Sequence, residues 1–351
     1  MLNQILGQFG INPANCQIEE YGFGLINSTW KIHGEKDYIL QKINTDVFRF
    51  PEIIAENLSL LQSYLNNKYP DYLFVAPLPA VNGSTLVIAE EGVFRLFPFI
   101  DNSTSINEVT IYKQAYEAAK QFGKFTLLLK DFDASQLKDT ILNFHDLTLR
   151  YTEFEKACQH AGQSQLEKAD WAIAGINKHK DILLTWQQIK NSGKLQLRVV
   201  HHDAKINNVL FDRDWNGICL IDLDTVMPGY YISDVGDMLR TYLSPANEDG
   251  IDLSKIVIDE QLFDAIYNGY ISEMGSELTP FEKDYFIYSG KFMIYMQAIR
   301  FLADYLNGDI YYHTTYTGQN LDRAKNQLTL LEQLIKLEEK IQLTNNSSIK
   351  Q

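Results

Sequence analysis

Two short apolar runs, Val199-Val200 and Val209-Leu210, enclose the loop His201-His202-Asp203-Ala204-Lys205-Ile206-Asn207-Asn208, and a third, Ile218-Cys219-Leu220-Ile221, ends on Asp222. No other stretch restricts the fold as much. Strand-forming residues hold the loop from both sides, and Asp212-Arg213-Asp214-Trp215-Asn216-Gly217 reads as the turn of a hairpin between the second and third runs. Asp203, Asn208 and Asp222 are thereby delivered to one edge of a small strand cluster. Oxygen donors in this order suit a magnesium nucleotide. Asn208 and Asp222 serve as metal ligands while phosphates complete the octahedron, and Asp203 orients a hydroxyl and accepts its proton. Lys205 is placed to neutralise charge on a transferring phosphoryl group. His-x-Asp alone carries little weight, since an aspartate there can simply cap a turn. The spacing to Asn208, the paired strands and the closing Asp222 carry the reading.

The chain ahead of this loop reads as a small β-rich lobe. Strands are predicted over 17–21, 27–32 and 38–42, with the first two joined through Gly22-Phe23-Gly24. Gly22 and Gly24 let backbone amides approach phosphates closely, although a tight turn needs glycine in any case. Gln41 and Lys42 occupy successive positions of the third strand and so point to opposite faces. Either a neutral amide or a lysine faces the nucleotide. An amphipathic helix is expected over 51–66, with Ile54, Leu58, Leu61 and Leu65 at helical spacing. A hairpin of 85–89 and 93–97 then leads into Pro98-Phe99-Ile100, the place of a hinge whose backbone reads an adenine edge. Pro98 has no amide hydrogen, which leaves its carbonyl and the backbone groups of Phe99 and Ile100. From residue 105 the pattern turns helical: 106–125, two or three helices up to Trp186, then 291–306 and 321–340, with a polar, frayed tail at 344–348. The fold class expected is α+β with two lobes, residues 1–100 for the nucleotide and 101–351 for the catalytic loop and acceptor.

Composition narrows the partners. The net charge is −14, and no block of basic residues interrupts it, which disfavours nucleic acid. No window approaches an 18-residue apolar run, and the first residues lack a basic start and cleavage site. Cys16, Cys158 and Cys219 are widely separated, the pattern of reduced thiols in a cytoplasmic protein. A small-molecule substrate is the expectation; nothing in the composition fixes an oligomeric state.

Taken together, Tyr38-Ile39-Leu40-Gln41, Phe132-Asp133-Ala134-Ser135-Gln136-Leu137, Phe144-His145-Asp146, the catalytic loop, Ile221-Asp222-Leu223-Asp224-Thr225-Val226-Met227-Pro228-Gly229, Arg300-Phe301-Leu302-Ala303-Asp304-Tyr305-Leu306 and Gly308-Asp309-Ile310-Tyr311 resemble one known group. They are similar to the choline kinase and aminoglycoside phosphotransferase superfamily, and within it to bacterial N-acetylhexosamine 1-kinases. The resemblance implies a protein-kinase-like fold, ATP and Mg2+ as cofactors, and phosphorylation of an N-acetylated hexosamine at its anomeric hydroxyl. It implies nucleotide contacts from Gly22, Gly24, Gln41, Pro98, Phe99 and Ile100. Asp203 acts on the sugar hydroxyl, with Arg300, Asp224 and His145 as further substrate ligands. Asp234 would anchor the catalytic loop through His201. On residue pattern alone, His145 is a satisfied structural histidine and Arg300 an i, i+4 partner of Asp304. Leu25 departs from the subfamily, which carries a histidine there. The rival expectations are a kinase for choline, homoserine or an aminoglycoside, and a silent binding module of the same fold.

Overall fold

A computed structural model describes residues 2–22 and 26–348, with side chains through 343. Gly24 and Leu25, named above for the phosphate turn and the sugar pocket, lie outside the described residues. Five antiparallel strands form the small lobe: β1 (Gln17–Glu20), β2 (Ser28–His33), β3 (Tyr38–Ile43), β4 (Val87–Ala89) and β5 (Gly92–Pro98), in spatial order β1-β2-β3-β5-β4. Alternation along the strands separates two faces. Leu40, Phe94 and Leu96 pack with Ile5 and Leu6 of α1 (Leu2–Gln8) in a small core. Lys42 shares the Leu40 face and lies across Gly92, its Cε 2.7 Å from where a β-carbon would stand. Ile39, Gln41, Arg95 and Phe97 occupy the opposite face, turned toward the second lobe.

The predicted stripe on α2 (Pro51–Lys68) is buried as expected, but it does not belong to the sheet's core. Ile54, Leu58, Leu61 and Leu65 join the large apolar cluster of the helical lobe. That lobe consists of α3 (Tyr112–Leu128), α4 (Leu147–His160), α5 (Gln163–Lys178), α6 (Lys180–Asn191), the strands β6 (Arg198–Val200), β7 (Val209–Phe211), β8 (Gly217–Leu220) and β9 (Met227–Gly229), then α7 (Tyr231–Tyr242), α8 (Glu260–Met274), α9 (Pro280–Asp284), α10 (Phe286–Leu306) and α11 (Gln319–Ser348). β6 pairs with β9 and β7 with β8, both antiparallel, so the expected hairpin after the catalytic loop is present. The mixed architecture matches the expected two-lobed fold class.

Two boundaries differ from the sequence expectation. The helix expected from 106 begins at Tyr112, because the Gln114 side chain accepts from the amides of Thr110 and Ile111 at 2.8 and 3.2 Å and caps the start there. At the other end, 344–348 continues α11 instead of fraying. None of the described helices is long and apolar enough to cross a membrane. The three cysteines are free thiols.

Candidate active site

The catalytic loop is fixed from below by α7. Asp234, fully buried, accepts from the backbone amides of His201 and His202 at 2.9 and 2.7 Å. The anchor therefore grips the loop's backbone, not the His201 imidazole as expected. The imidazole instead bridges two other segments. Its Nε2 donates to the Ile221 carbonyl (3.1 Å) and its Nδ1 accepts from the Asp203 amide (3.3 Å). The loop and the hairpin carrying Asp222 are thus joined through one neutral histidine, whose pKa is lowered by burial. His202 adopts a left-handed φ of 65°, and its ring fills the space over Gly229. A β-carbon on Gly229 would stand 2.5 Å from that ring, which explains the glycine.

Asp203, Lys205 and Asn208 converge, with Lys205 on the Asp203 carboxylate instead of standing free for a phosphoryl group. Asn208 Nδ2 donates to the backbone carbonyl and to Oδ2 of Asp203, both at 2.9 Å, and Lys205 Nζ lies 2.9 Å from Asp203 Oδ1. Burial raises the proton affinity of Asp203, but Lys205 and the Asn208 amide outweigh it and hold the carboxyl below its usual range. It is ionised at neutral pH, as a proton acceptor must be. With its amide nitrogen committed, Asn208 keeps its carbonyl oxygen for another partner.

Asp222 opens into the cleft in a left-handed backbone conformation, φ 58°. It receives no side-chain hydrogen bond from the described residues. Desolvation by the enclosing walls, then the charges of Asp224 and Asp203, push its pKa up to about 7. A carboxylate so crowded by negative charge favours a cation beside it. Together with the free Asn208 oxygen it makes a set of hard donors that fits Mg2+, which takes few protein ligands and fills its shell with phosphate oxygens and water. No group of three or more His, Cys, Asp or Glu that could hold a metal ion occurs among the described residues.

Gln41 and Arg95 settle which residue of β3 faces the cleft. They are register partners across β3 and β5. Gln41 Oε1 accepts from Arg95 Nε and Nη2 at 3.1 and 2.9 Å, while its amide nitrogen donates to Thr29 Oγ1 at 3.3 Å. Arg95, 1% exposed, then reaches across to Asp224 with a two-pronged ion pair, Nη2 to Oδ2 at 2.7 Å and Nη1 to Oδ1. Asn27 Nδ2 donates to Asp224 Oδ2 at 2.9 Å. Asp224, expected to bind substrate, instead has both oxygens engaged under the cleft floor. The missed residue is Arg95. Its signal was present: a lone charge in Val93-Phe94-Arg95-Leu96-Phe97, directly opposite Gln41.

At the hinge, the Phe99 amide donates to the Asp37 carbonyl at 3.1 Å and extends the β3–β5 ladder. Phe99 N–H is thereby unavailable to a base. Bonded and non-bonded pairs alternate in such a ladder, so Pro98, paired with Tyr38, turns its carbonyl away from β3. The Ile100 carbonyl accepts from Ser103 Oγ at 2.6 Å. The Pro98 and Phe99 carbonyls and the Ile100 amide carry no such bond among the described residues. The Lys31 ammonium sits 3.6 Å over the Phe99 ring. Gly22 turns with φ 76° and has open space around it.

On the other flank of Asp203, His202 faces His145, Nδ1 to Nδ1 at 3.3 Å, and its Nε2 lies 3.3 Å from the Pro228 carbonyl. A carbonyl only accepts, so His202 Nε2 carries its proton; burial drives the ring's pKa down to about 4, so it is neutral and Nδ1 accepts from His145. His145 is also held neutral, by burial and then by His202 and Arg300. Its Nε2 therefore presents a lone pair. The His145 ring stacks on Phe144 at 4.4 Å, and Phe144 in turn lies 5.6 Å from the Arg300 guanidinium, which also faces Tyr311 and Tyr312 at 5.7 and 5.4 Å. Arg300 makes no ion pair with Asp304; its polar contact is to Gln297 Oε1 at 3.3 Å. The surface-pair expectation for Arg300 is overturned, because Asp304 is taken up by loop amides.

The sequence profile of the APH phosphotransferase enzyme family matches residues 17–261. Among solved structures, a microcompartment-associated aminopropanol kinase superposes with a TM-score of 0.66 at 15% identity, over 95% of this chain and 97% of that one. A choline kinase from Cryptosporidium parvum Iowa II gives 0.59 at 16% identity over 96% of each chain. An amicoumacin kinase in complex with AMP-PNP and Ca2+ gives 0.61 at 13% identity, over 93% and 92%. At these identities the likeness concerns the fold.

Proposed function

Since the chain belongs to the APH phosphotransferase family, we propose that it transfers the γ-phosphoryl group of ATP to the anomeric hydroxyl of an N-acetylated hexosamine such as N-acetylglucosamine. The nucleotide lies between residues 1–100 and 101–351, its adenine against the Pro98 carbonyl and Ile100 amide. Asn208 and Asp222 hold Mg2+, which supplies charge neutralisation to the phosphates. Asp203 orients the acceptor hydroxyl and takes its proton. Lys205, now on Asp203, is positioned to meet the transferring phosphoryl group. Arg95 is engaged by Gln41 and Asp224, so it acts by fixing the floor beneath the metal ligands.

One observation carries the choice of acceptor: Arg300 is a guanidinium with aromatic neighbours and no carboxylate partner among the described residues. Most nearby carboxylate oxygens are engaged, those of Asp304 by backbone amides and Asp237 Oδ1 and Glu248 by Arg240, while the buried Asp237 Oδ2 has no hydrogen-bond partner among the described residues. A cationic acceptor would need free carboxylates or an aromatic cage without a resident cation. A polyol with a carbonyl suits Arg300 as donor and His145 Nε2 as acceptor. The test is a panel of N-acetylglucosamine, N-acetylgalactosamine, choline, ethanolamine, aminopropanol, homoserine and an aminoglycoside with ATP and magnesium, read by ADP release. The sugar product is expected to show phosphorus coupling to H1, and a methyl N-acetylglucosaminide, blocked at that oxygen, should not turn over. Turnover of an amino alcohol with none of the sugars would overturn the acceptor assignment and leave the kinase reading standing.

A further inference from the structure

The loop 307–318 supplies Tyr311 and Tyr312 to Arg300, and its conformation is set almost entirely by side chains outside it. Asp304, on α10, accepts from three successive loop amides: Ile310 (3.0 Å), Tyr311 (2.8 Å) and Tyr312 (2.9 Å). Its Oδ2 also accepts from Asn320 at 3.0 Å. Asn320, at the start of α11 and completely buried, donates as well to Asp309 Oδ1 at 2.8 Å, where the backbone turns left-handed with φ 58°. The chain of contacts continues away from the loop. Asn320 Oδ1 accepts from Arg323 Nη1 (2.9 Å), which also donates to the His313 carbonyl (3.0 Å). Arg323 Nε then meets Asp249 Oδ1 at 2.6 Å, an oxygen shared with Gln319 at 3.0 Å.

Asp249 belongs to a second segment, 244–250, that leads back to the catalytic loop. Its neighbour Glu248 accepts from Arg240 at 2.6 Å, and Arg240 binds Asp237 at 2.9 Å. Asp237 lies one turn beyond Asp234 on α7, the helix that holds the catalytic loop. Asn326, one turn beyond Arg323, donates to the carbonyls of Asn247 and Gly250 at 3.0 and 3.1 Å. The first turns of α11 therefore grip two loops at once, one carrying the tyrosines that face Arg300 and one tied to the helix under Asp203.

We propose that Asn320, Arg323 and Asp249 are positioning residues that lock loop 307–318 and segment 244–250 into one acceptor-side wall and so set the distance between Arg300 and Asp203. This rests on the reading of Arg300 as an acceptor ligand. The bonds run between segments of different origin, so loosening one end must loosen the other. Among the described residues no hydrogen bond in this chain of contacts reaches the hinge or the metal ligands, so the larger effect is expected on the acceptor side.

The experiment compares Asp249→Ala, at a half-exposed position, with Asn320→Ala and with the conservative Asp249→Glu. Hydrogen exchange at the Ile310, Tyr311 and Tyr312 amides is expected to quicken by about tenfold in both alanine variants, with His201 and His202 unchanged. KM for N-acetylglucosamine should rise by about 10- to 100-fold, KM for ATP by less than about twofold, and Asp249→Glu should recover most of the loss. Unchanged exchange in Asp249→Ala, or KM for ATP rising in step with that for the sugar, would overturn the proposal. Exchange does not depend on the acceptor, and the kinetic arm uses whichever panel compound the native enzyme turns over. If exchange quickens but Arg300→Lys leaves the acceptor KM unmoved, the wall stands and the acceptor role of Arg300 falls.

Discussion

The two flanks of Asp203 solve opposite electrostatic problems. On the nucleotide flank the carboxylates of Asp203, Asp222 and Asp224 crowd together, and Asp222 receives no side-chain hydrogen bond from the described residues, its pKa pushed up to about 7. That flank is built to be completed by cations. On the acceptor flank Asp304 is answered by amides and Asp237 Oδ1 by Arg240, and Arg300 is a cation with no carboxylate partner among the described residues. On the proposed reading, a single cleft offers one end to a metal–phosphate complex and the other to a neutral, oxygen-rich molecule. Specificity in such a design resides in which charges are left open, more than in the shape of the fold shared with amino-alcohol kinases.

Breaking the nucleotide flank should have the largest effects. Asp222→Ala is expected to remove magnesium-dependent turnover altogether, as chelation of the metal should in the unaltered protein; a rate whose magnesium dependence is unchanged would show the metal site to be misplaced. Asp203→Asn should lower kcat by about 100- to 10,000-fold with nucleotide binding retained, since an amide fills the same volume but takes no proton. A variant within about threefold of the native rate would remove Asp203 from that role. Arg95→Met strands Asp224 as a buried, unpaired carboxylate. Denaturant unfolding should then show a loss of about 3–5 kcal/mol, and a loss below about 1 kcal/mol would mean that Asp224 finds other partners.

Breaking the acceptor flank should be milder and one-sided. Arg300→Lys is expected to raise the acceptor KM by about tenfold, because an ammonium does not reproduce the planar fork, with KM for ATP unchanged. Equal changes in both would erase the contrast between the flanks. The smallest effect is expected at Glu56, whose exposed pair with Lys138 lies on neither flank. Glu56→Gln should leave melting temperature and both KM values unaltered within error.

The nucleotide flank was the more legible of the two. Asp203, Lys205, Asn208 and Asp222 fall within a stretch short enough for spacing to dictate geometry, and the strands on either side leave few other arrangements. Alternation alone placed Gln41 and Lys42 on opposite faces, but only the cross-strand contact to Arg95 decides which face looks into the cleft. Partners distant in sequence stayed hidden. Nothing local ties Arg95 to Asp224, and helical spacing actively misdirects at Arg300, where the i+4 position holds an aspartate. That aspartate binds three backbone amides of a left-handed loop instead. A buried turn with unpaired N–H groups holds a carboxylate more firmly than a partly exposed guanidinium does, and pair spacing carries no information about such loops. The start of α3 shifted for a related reason, a glutamine side chain ending the extended segment where apolar periodicity alone would have continued the helix.

Asn57 bears on how often the cleft is assembled at all. Its amide accepts from the Lys138 backbone at 3.0 Å and donates to the carbonyls of Lys138 and Val226 at 2.8 and 3.2 Å, fastening α2 to the large lobe. Withdrawing the helix would strand these buried groups, at about 1–3 kcal/mol. It would also bare Leu58 and Leu61, at about 1.5–3 kcal/mol each. The lower ends alone total about 4 kcal/mol, a withdrawn population of roughly one molecule in a thousand. In protein kinases the position of the corresponding helix is a point of control. These contacts hold the helix docked without help from a ligand, so for the proposed kinase throughput is expected to follow the supply of acceptor and ATP rather than the fraction of molecules switched on.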